Sequence, residues 1–157
     1  MKKVFEIYDK AQEVILSVLG FSLFIAILIG IFSRQFAWRI QWADEASRFI
    51  MIYAVMIGTA IAYRSGRHIA VGLISESIPE LYQTILKLGV HISVVVIGII
   101  MIHSGTLLVS SQGHILAPSL RVPLAFAYSA IPVGGILLSI EGVRMTISVI
   151  RGGRKIC

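Results

Sequence analysis

The sequence predicts an all-α integral membrane protein with four transmembrane helices, and three observations carry that prediction. First, 57% of the 157 residues are hydrophobic and only 14% are charged, whereas average soluble domains run at about 45–50% and about 25%. One core of this size cannot enclose so much apolar surface, so much of it faces lipid. Second, Asp, Glu, Lys and Arg are missing from four stretches: Val14 to Ser33 (20 residues), Phe49 to Tyr63 (15), Leu88 to Leu120 (33) and Val122 to Ile140 (19). Third, alternating apolar and polar runs never dominate, which excludes a transmembrane barrel. The whole chain, 1–157, is expected to form one transmembrane domain with spans near 14–33, 42–63, 84–110 and 122–146.

Each span follows from length and flanks. A helix needs about 20 residues to cross about 30 Å of hydrocarbon, and Val14 to Ser33 meets that requirement alone. That run exceeds the apolar core of a signal peptide and follows the acids Glu6, Asp9 and Glu13, so it reads as a retained helix. A short connection from Arg34 to Trp42 comes next, with Phe36, Trp38 and Trp42 suited to a headgroup belt. The second run is too short unless its helix begins near Trp42, which sets Asp44, Glu45 and Arg48 in the first turns at the membrane surface. Between helices two and three, Ile74, Ile78, Leu81, Ile85 and Leu88 recur at helical spacing and predict an amphipathic interfacial segment. Ser77 and Glu80 fit a capping box with Pro79 in its first turn. The third run holds both a helix and a loop, the loop marked by Gln112, Gly113, Pro118 and Ser119. In the fourth, Pro132 removes a backbone donor and is expected to kink the helix.

Orientation follows from positive charge. With four spans, ten of the 14 Lys and Arg residues fall on the side of the termini and four (Arg34, Arg39, Arg48 and Arg121) on the other, so both termini are expected in the cytoplasm. The net charge of +6 then reads as topology and contact with anionic phospholipid. No basic stripe with interleaved aromatics suggests nucleic acid.

Chemistry inside the membrane is sparse. Glu141 and Arg144, three residues apart near the inner end of helix four, read as an interfacial pair, with a proton relay as the alternative. His91 and His103 lie about 18 Å apart along one helix with no facing ligand on another, so they read as packing or hydrogen-bonding residues rather than haem ligands. A single cysteine, Cys157, supports neither an intrachain disulfide nor a zinc site. Catalytic and phosphate-binding motifs are missing, and the chain reads as non-enzymatic, without a cofactor or metal of its own.

Packing and surface signals are stronger. Ser22, Ala26 and Gly30 in helix one, and Ala46, Ala54, Gly58 and Ala62 in helix two, form small-residue ridges. Such ridges let backbones approach closely, within the chain or against a partner subunit. At the outer start of helix two, Asp44 and Glu45 precede Arg48 at i,i+4 and i,i+3, a pattern that local ion pairing would explain. Alternatively, Arg34, Arg39, Trp42, Asp44 and Glu45 form an outward polar patch able to dock a soluble protein.

The order Trp42-Ala-Asp-Glu-Ala-Ser-Arg48, then Gly58, then Arg64-Ser-Gly-Arg-His68-Ile-Ala-Val71, then Pro123 to Tyr128 and Ile131-Pro-Val-Gly134 resembles the small membrane subunit of tripartite ATP-independent periplasmic (TRAP) transporters. The likeness runs over nearly the whole chain, and one departure is Gly72, where many members carry an acid. The resemblance implies a bacterial inner-membrane protein partnered by a large multi-helix subunit that holds the substrate and sodium sites. It also implies a periplasmic binding protein that delivers an organic acid such as a C4-dicarboxylate or sialic acid. Carried over by position, Glu45 and Arg48 organise the outer start of helix two, Gly66 and His68 its inner exit, and Pro123, Tyr128 and Pro132 the fourth helix. The chain itself would be a scaffold beside an elevator-like transport unit. The competing expectation is a self-associating four-helix anchor or small exporter that works without a large subunit.

Overall fold

A computed structural model describes residues 2–36, 40–65 and 80–150. It is all-helical, with α1 at Lys2–Gln35, α2 at Trp42–Arg64, α3 at Glu80–Gln112, a short α4 at Ala125–Tyr128 and α5 at Ala130–Ile150. Four spans are long and apolar enough to cross a membrane: Phe5–Gln35, Trp42–Arg64, Ile85–Gln112 and Ala125–Ile150, the last made of α4 and α5 together. Of the expected interfacial segment, Ile74 and Ile78 lie outside the described residues, as do the Ser77 cap, Arg39, Gly66 and His68, whereas Leu81, Ile85 and Leu88 belong to α3.

Helix limits follow local chemistry. Helix α1 runs through 34 residues, about 51 Å at 1.5 Å per residue. The helix extends ahead of the expected span 14–33, because neither Pro nor Gly interrupts residues 2–19 and the acidic lead continues the same helix. Helix α2 starts at Trp42 with Asp44 and Glu45 in its first turn and ends with Arg64 in its last, a charge order that complements the helix dipole. Pro132 sits in the first turn of α5, and the helical run breaks at Ser129. The ring removes the bond that Tyr128 would otherwise receive, and Val133 bonds back to Ser129 at 3.2 Å. The interruption thus falls one turn before the proline rather than at it.

The four spans form a row in the order α1, α2, α5, α3. Helix α1 packs on α2, α2 on α5, and α5 most extensively on α3. The tightest seam is built from glycines. A Cβ on Gly98 would lie 2.8 Å from the Gly135 carbonyl, and one on Gly105 would lie 2.6 Å from the Pro132 ring. Gly142 approaches Val95, and Gly134 approaches Met56 of α2. At the other seam, Gly30 faces Asp44 and Gly58 faces Leu16 with room to spare, 3.8 Å to its nearest methyl. Ala26 and Gly30 are buried, Ser22, Ala46, Ala54 and Gly58 half-buried, and Ala62 exposed.

Between α3 and α4 the chain folds back on itself. Ala117 N–H donates to Val122 at 2.9 Å and Leu124 N–H donates to Ile115 at 2.8 Å, so the backbone is satisfied without a sheet. Arg121 turns this loop at φ 52°.

Two polar rims as the candidate functional site

Charged side chains gather at the two ends of the helix row. The loop end carries residues 34–36, 40–45 and 113–124, and the terminal end carries the start of α1 and the end of α5.

At the loop end, Arg34 Nη2 donates to both carboxylate oxygens of Asp44, at 3.1 and 2.9 Å, tying α1 to α2. Both side chains are exposed, 74% and 50%, so this pair contributes little to stability. Glu45 does something different. Its carboxylate accepts the Ser119 N–H at 3.1 and 3.0 Å and the Leu120 N–H at 2.8 Å, clamping the loop before α4 onto α2. Charge-assisted bonds of this kind are stronger than neutral ones. About two turns further along α2, the Tyr53 hydroxyl donates to the Phe126 carbonyl at 2.7 Å and lies 2.6 Å from Ser129 Oγ, bracing the break before α5.

The expected pairing of Asp44 and Glu45 with Arg48 is therefore not what forms. Tertiary partners capture both acids, and Arg48 is exposed without a hydrogen bond or ion pair among the described residues. Of the predicted outward patch, Arg34 and Trp42 remain exposed, whereas Glu45 turns inward. Pro123 forms the bridge with Leu116 at the loop's base. Tyr128 closes α4, its N–H bonded to Leu124 at 3.0 Å.

At the terminal end, an alternating chain of charges joins three helices. Arg64 of α2 meets Asp9 at 2.8 Å and Glu13 at 2.9 Å on α1, and also donates to Gln12 at 3.0 Å. Arg144 of α5 meets the same Asp9 oxygen at 2.8 Å and Glu141 at 3.1 Å. Glu141 is fully buried, so it is no snorkelling surface group; its charge is held by Arg144. The Arg144 guanidinium also stacks over Phe5, 4.4 Å from the ring centre, a cation–π contact. Tyr63 of α2 hydrogen-bonds His91 Nδ1, bringing α3 into the same layer. Tyr8 Oη and Gln12 Nε2, buried here, have no hydrogen-bond partner among the described residues.

Local spacing in the sequence pairs Glu141 with Arg144 but does not bring in Asp9 and Arg64. The available signal was that Asp9 and Glu13 lie one helical turn apart on α1 and so can meet one cation. Tyr53 and the loop amides gave no local signal, since their partners lie more than 70 residues away. No cluster of three or more His, Cys, Asp or Glu residues able to hold a metal occurs among the described residues.

The family model for the tripartite ATP-independent periplasmic transporters, DctQ component, matches residues 23–152. A protein of Haemophilus influenzae named as a TRAP transporter small permease is 23% identical over 151 residues, 96% of this chain and 94% of that protein. The Vibrio cholerae sialic acid TRAP transporter small permease protein SiaQ is 26% identical over 98 residues, 62% of this chain and 56% of SiaQ. The H. influenzae sialic acid TRAP transporter permease protein SiaT is 26% identical over 125 residues, which make up 76% of this chain but 20% of SiaT.

Proposed function

The chain belongs to the DctQ component family of the tripartite ATP-independent periplasmic transporters, and from that premise we propose that it is the static scaffold of a binding-protein-dependent importer of organic acids. As a multi-pass membrane component of a transporter it is not an enzyme. In this reading it sits in a bacterial inner membrane, with the terminal end cytoplasmic and the loop end facing the periplasm. A large multi-helix subunit beside it carries substrate, such as a C4-dicarboxylate or sialic acid, together with sodium. Phospholipid fills the remaining perimeter.

The observation that carries the scaffold reading is the bracing at both rims. Glu45 fixes the loop before α4 to α2, and Asp9 binds the arginines of α2 and α5 together. A row locked at both ends suits a part that stays still while another part moves. SiaT supports a large partner, because the segment similar to this chain makes up 20% of its length. The exposed Arg34 and Trp42 support loop-end docking of the binding protein, with Asp44 holding Arg34 in place.

Affinity purification of a tagged copy from native membranes in mild detergent, followed by native mass measurement, tests this reading. The expected result is a one-to-one complex with a single larger chain rich in apolar spans. Recovery of this chain only, as a defined homo-oligomer, overturns it in favour of a self-associating anchor.

A further inference from the structure

The two flanks of the helix row differ in chemistry. The exposed surface of α1 within the span is mainly aliphatic and aromatic, including Val14, Val18, Phe21, Phe24 and Ile31, and its one exposed hydroxyl there, Ser17, bonds the Glu13 carbonyl of its own helix at 2.8 Å, which suits lipid tails. Helix α3 is different. One stripe of it, His91, Val95, Gly98, Ile102 and Gly105, faces α2 or α5 through the Tyr63 bond and the glycine seam. Advanced by one residue, about 100° around the helix, a second stripe is wholly exposed: Ile92, Val96, Ile99, His103, Thr106 and Ser110. Its spacing alternates four and three residues, the pattern of a helix-packing seam.

His103 decides what such a stripe can face. It lies about 13 Å from the Gln112 end of the span and about 27 Å from the Ile85 end, so it is inside a hydrocarbon layer of about 30 Å with either end set at a boundary. Thr106 and Ser110 satisfy their hydroxyls on their own helix, bonding the carbonyls of His103 at 2.9 Å and Leu107 at 2.8 Å. An imidazole carries both a donor and an acceptor, and the His103 ring has no hydrogen bond among the described residues. Polar groups at this depth face protein or water rather than lipid tails.

We propose that this α3 stripe is the surface on which a transmembrane helix of the large permease subunit packs, with a polar side chain of that helix hydrogen-bonded to His103. The inference rests on the small-subunit reading above and adds the face and the contact. An asymmetric partner fits better than a second copy, because SiaT carries four times as much polypeptide beside its matching segment. Such a partner covers one flank and leaves the Phe-rich flank in lipid.

Photocrosslinking in native membranes tests the face, with a benzophenone amino acid placed at Val96 in one copy and at Phe24 in another. The expected result is an adduct with the large subunit from Val96 and lipid adducts from Phe24. An adduct with the large subunit from Phe24 alone overturns the proposed face while leaving the small-subunit reading intact. Adducts between copies of this chain, with no large subunit recovered, overturn both. The His103 contact has its own readout. His103→Leu is expected to lower recovery of the large subunit roughly three- to tenfold, with His103→Asn restoring most of it and both variants giving wild-type yields of the chain. Equal or better recovery with His103→Leu overturns the contact, since a lipid-facing position favours leucine.

Discussion

Glu45 lies three residues before Arg48, yet its carboxylate turns to the backbone of Ser119 and Leu120, some 75 residues away. Asp44 likewise takes Arg34 of the preceding helix instead of Arg48 one turn on. Helical spacing makes local partners visible in a sequence, but it is silent about which distant donor comes closer, and that is why Glu141 with Arg144 was legible and the Glu45 clamp was not. Glu45→Gln is expected to destabilise the purified protein by about 2 kcal/mol, the scale of bonds to a charged group. Amide exchange at Ser119 and Leu120 should accelerate in parallel, and unchanged exchange there would contradict the clamp. In the same loop, Arg121 holds φ 52°, a region that disfavours residues with a Cβ by roughly 1–2 kcal/mol. Arg121→Gly should therefore leave stability unchanged or raise it by up to about 1 kcal/mol, allowing for the chain entropy of glycine. A clear fall in the unfolding midpoint would show that the arginine side chain, not the backbone, matters there. At the terminal end Asp9 serves two guanidinium groups while Glu141 serves one. Asp9→Asn should thus cost roughly 1–3 kcal/mol, between the exposed and the buried ion-pair scales as suits a half-buried group, and more than Glu141→Gln; denaturation in detergent gives the order, and the reverse order would contradict the shared role of Asp9.

Among whole elements, the seams between helices were only half legible. The spans themselves follow from the charge-free runs, and α2 begins at Trp42 as its short run demands. The ridge rule of small residues four apart also brings out Gly30, which is buried against Asp44 of α2. It misses Gly98 and Gly105, seven apart on α3, although these make closer approaches than Gly58. Length was the main signal in that 33-residue run, and no pattern within it names α5 as the partner. Gly98→Ala places a methyl 2.3 Å from Ser139 Oγ and 2.8 Å from the Gly135 carbonyl, and a loss of about 1–3 kcal/mol is expected from overpacking. Gly58→Ala has its nearest neighbour at 3.8 Å, so it should be neutral or stabilising by up to about 1 kcal/mol. Thermal unfolding of the two variants side by side checks the contrast; equal losses would mean that the α3–α5 seam is no tighter than the α1–α2 seam.

The molecule as a whole is a row of spans with α2 and α5 at its centre and α1 and α3 on its flanks. Hydropathy counts spans but does not order them, because every helix here carries apolar residues around most of its circumference. What orders them is the placement of glycines and of the two charged rims, and both become readable only once distant residues are brought together. The same segregation of charge shapes the functional account, in which this chain holds position and its partner moves solute and ions. The most direct test is uptake into proteoliposomes under an inward sodium gradient, using labelled C4-dicarboxylate and labelled sialic acid, with the binding protein added outside. The account predicts uptake of one of these acids when the large subunit and this chain are both present, a large loss when this chain is left out, and none with this chain alone. Sodium-driven uptake by this chain alone, or undiminished uptake by the large subunit without it, would contradict the account.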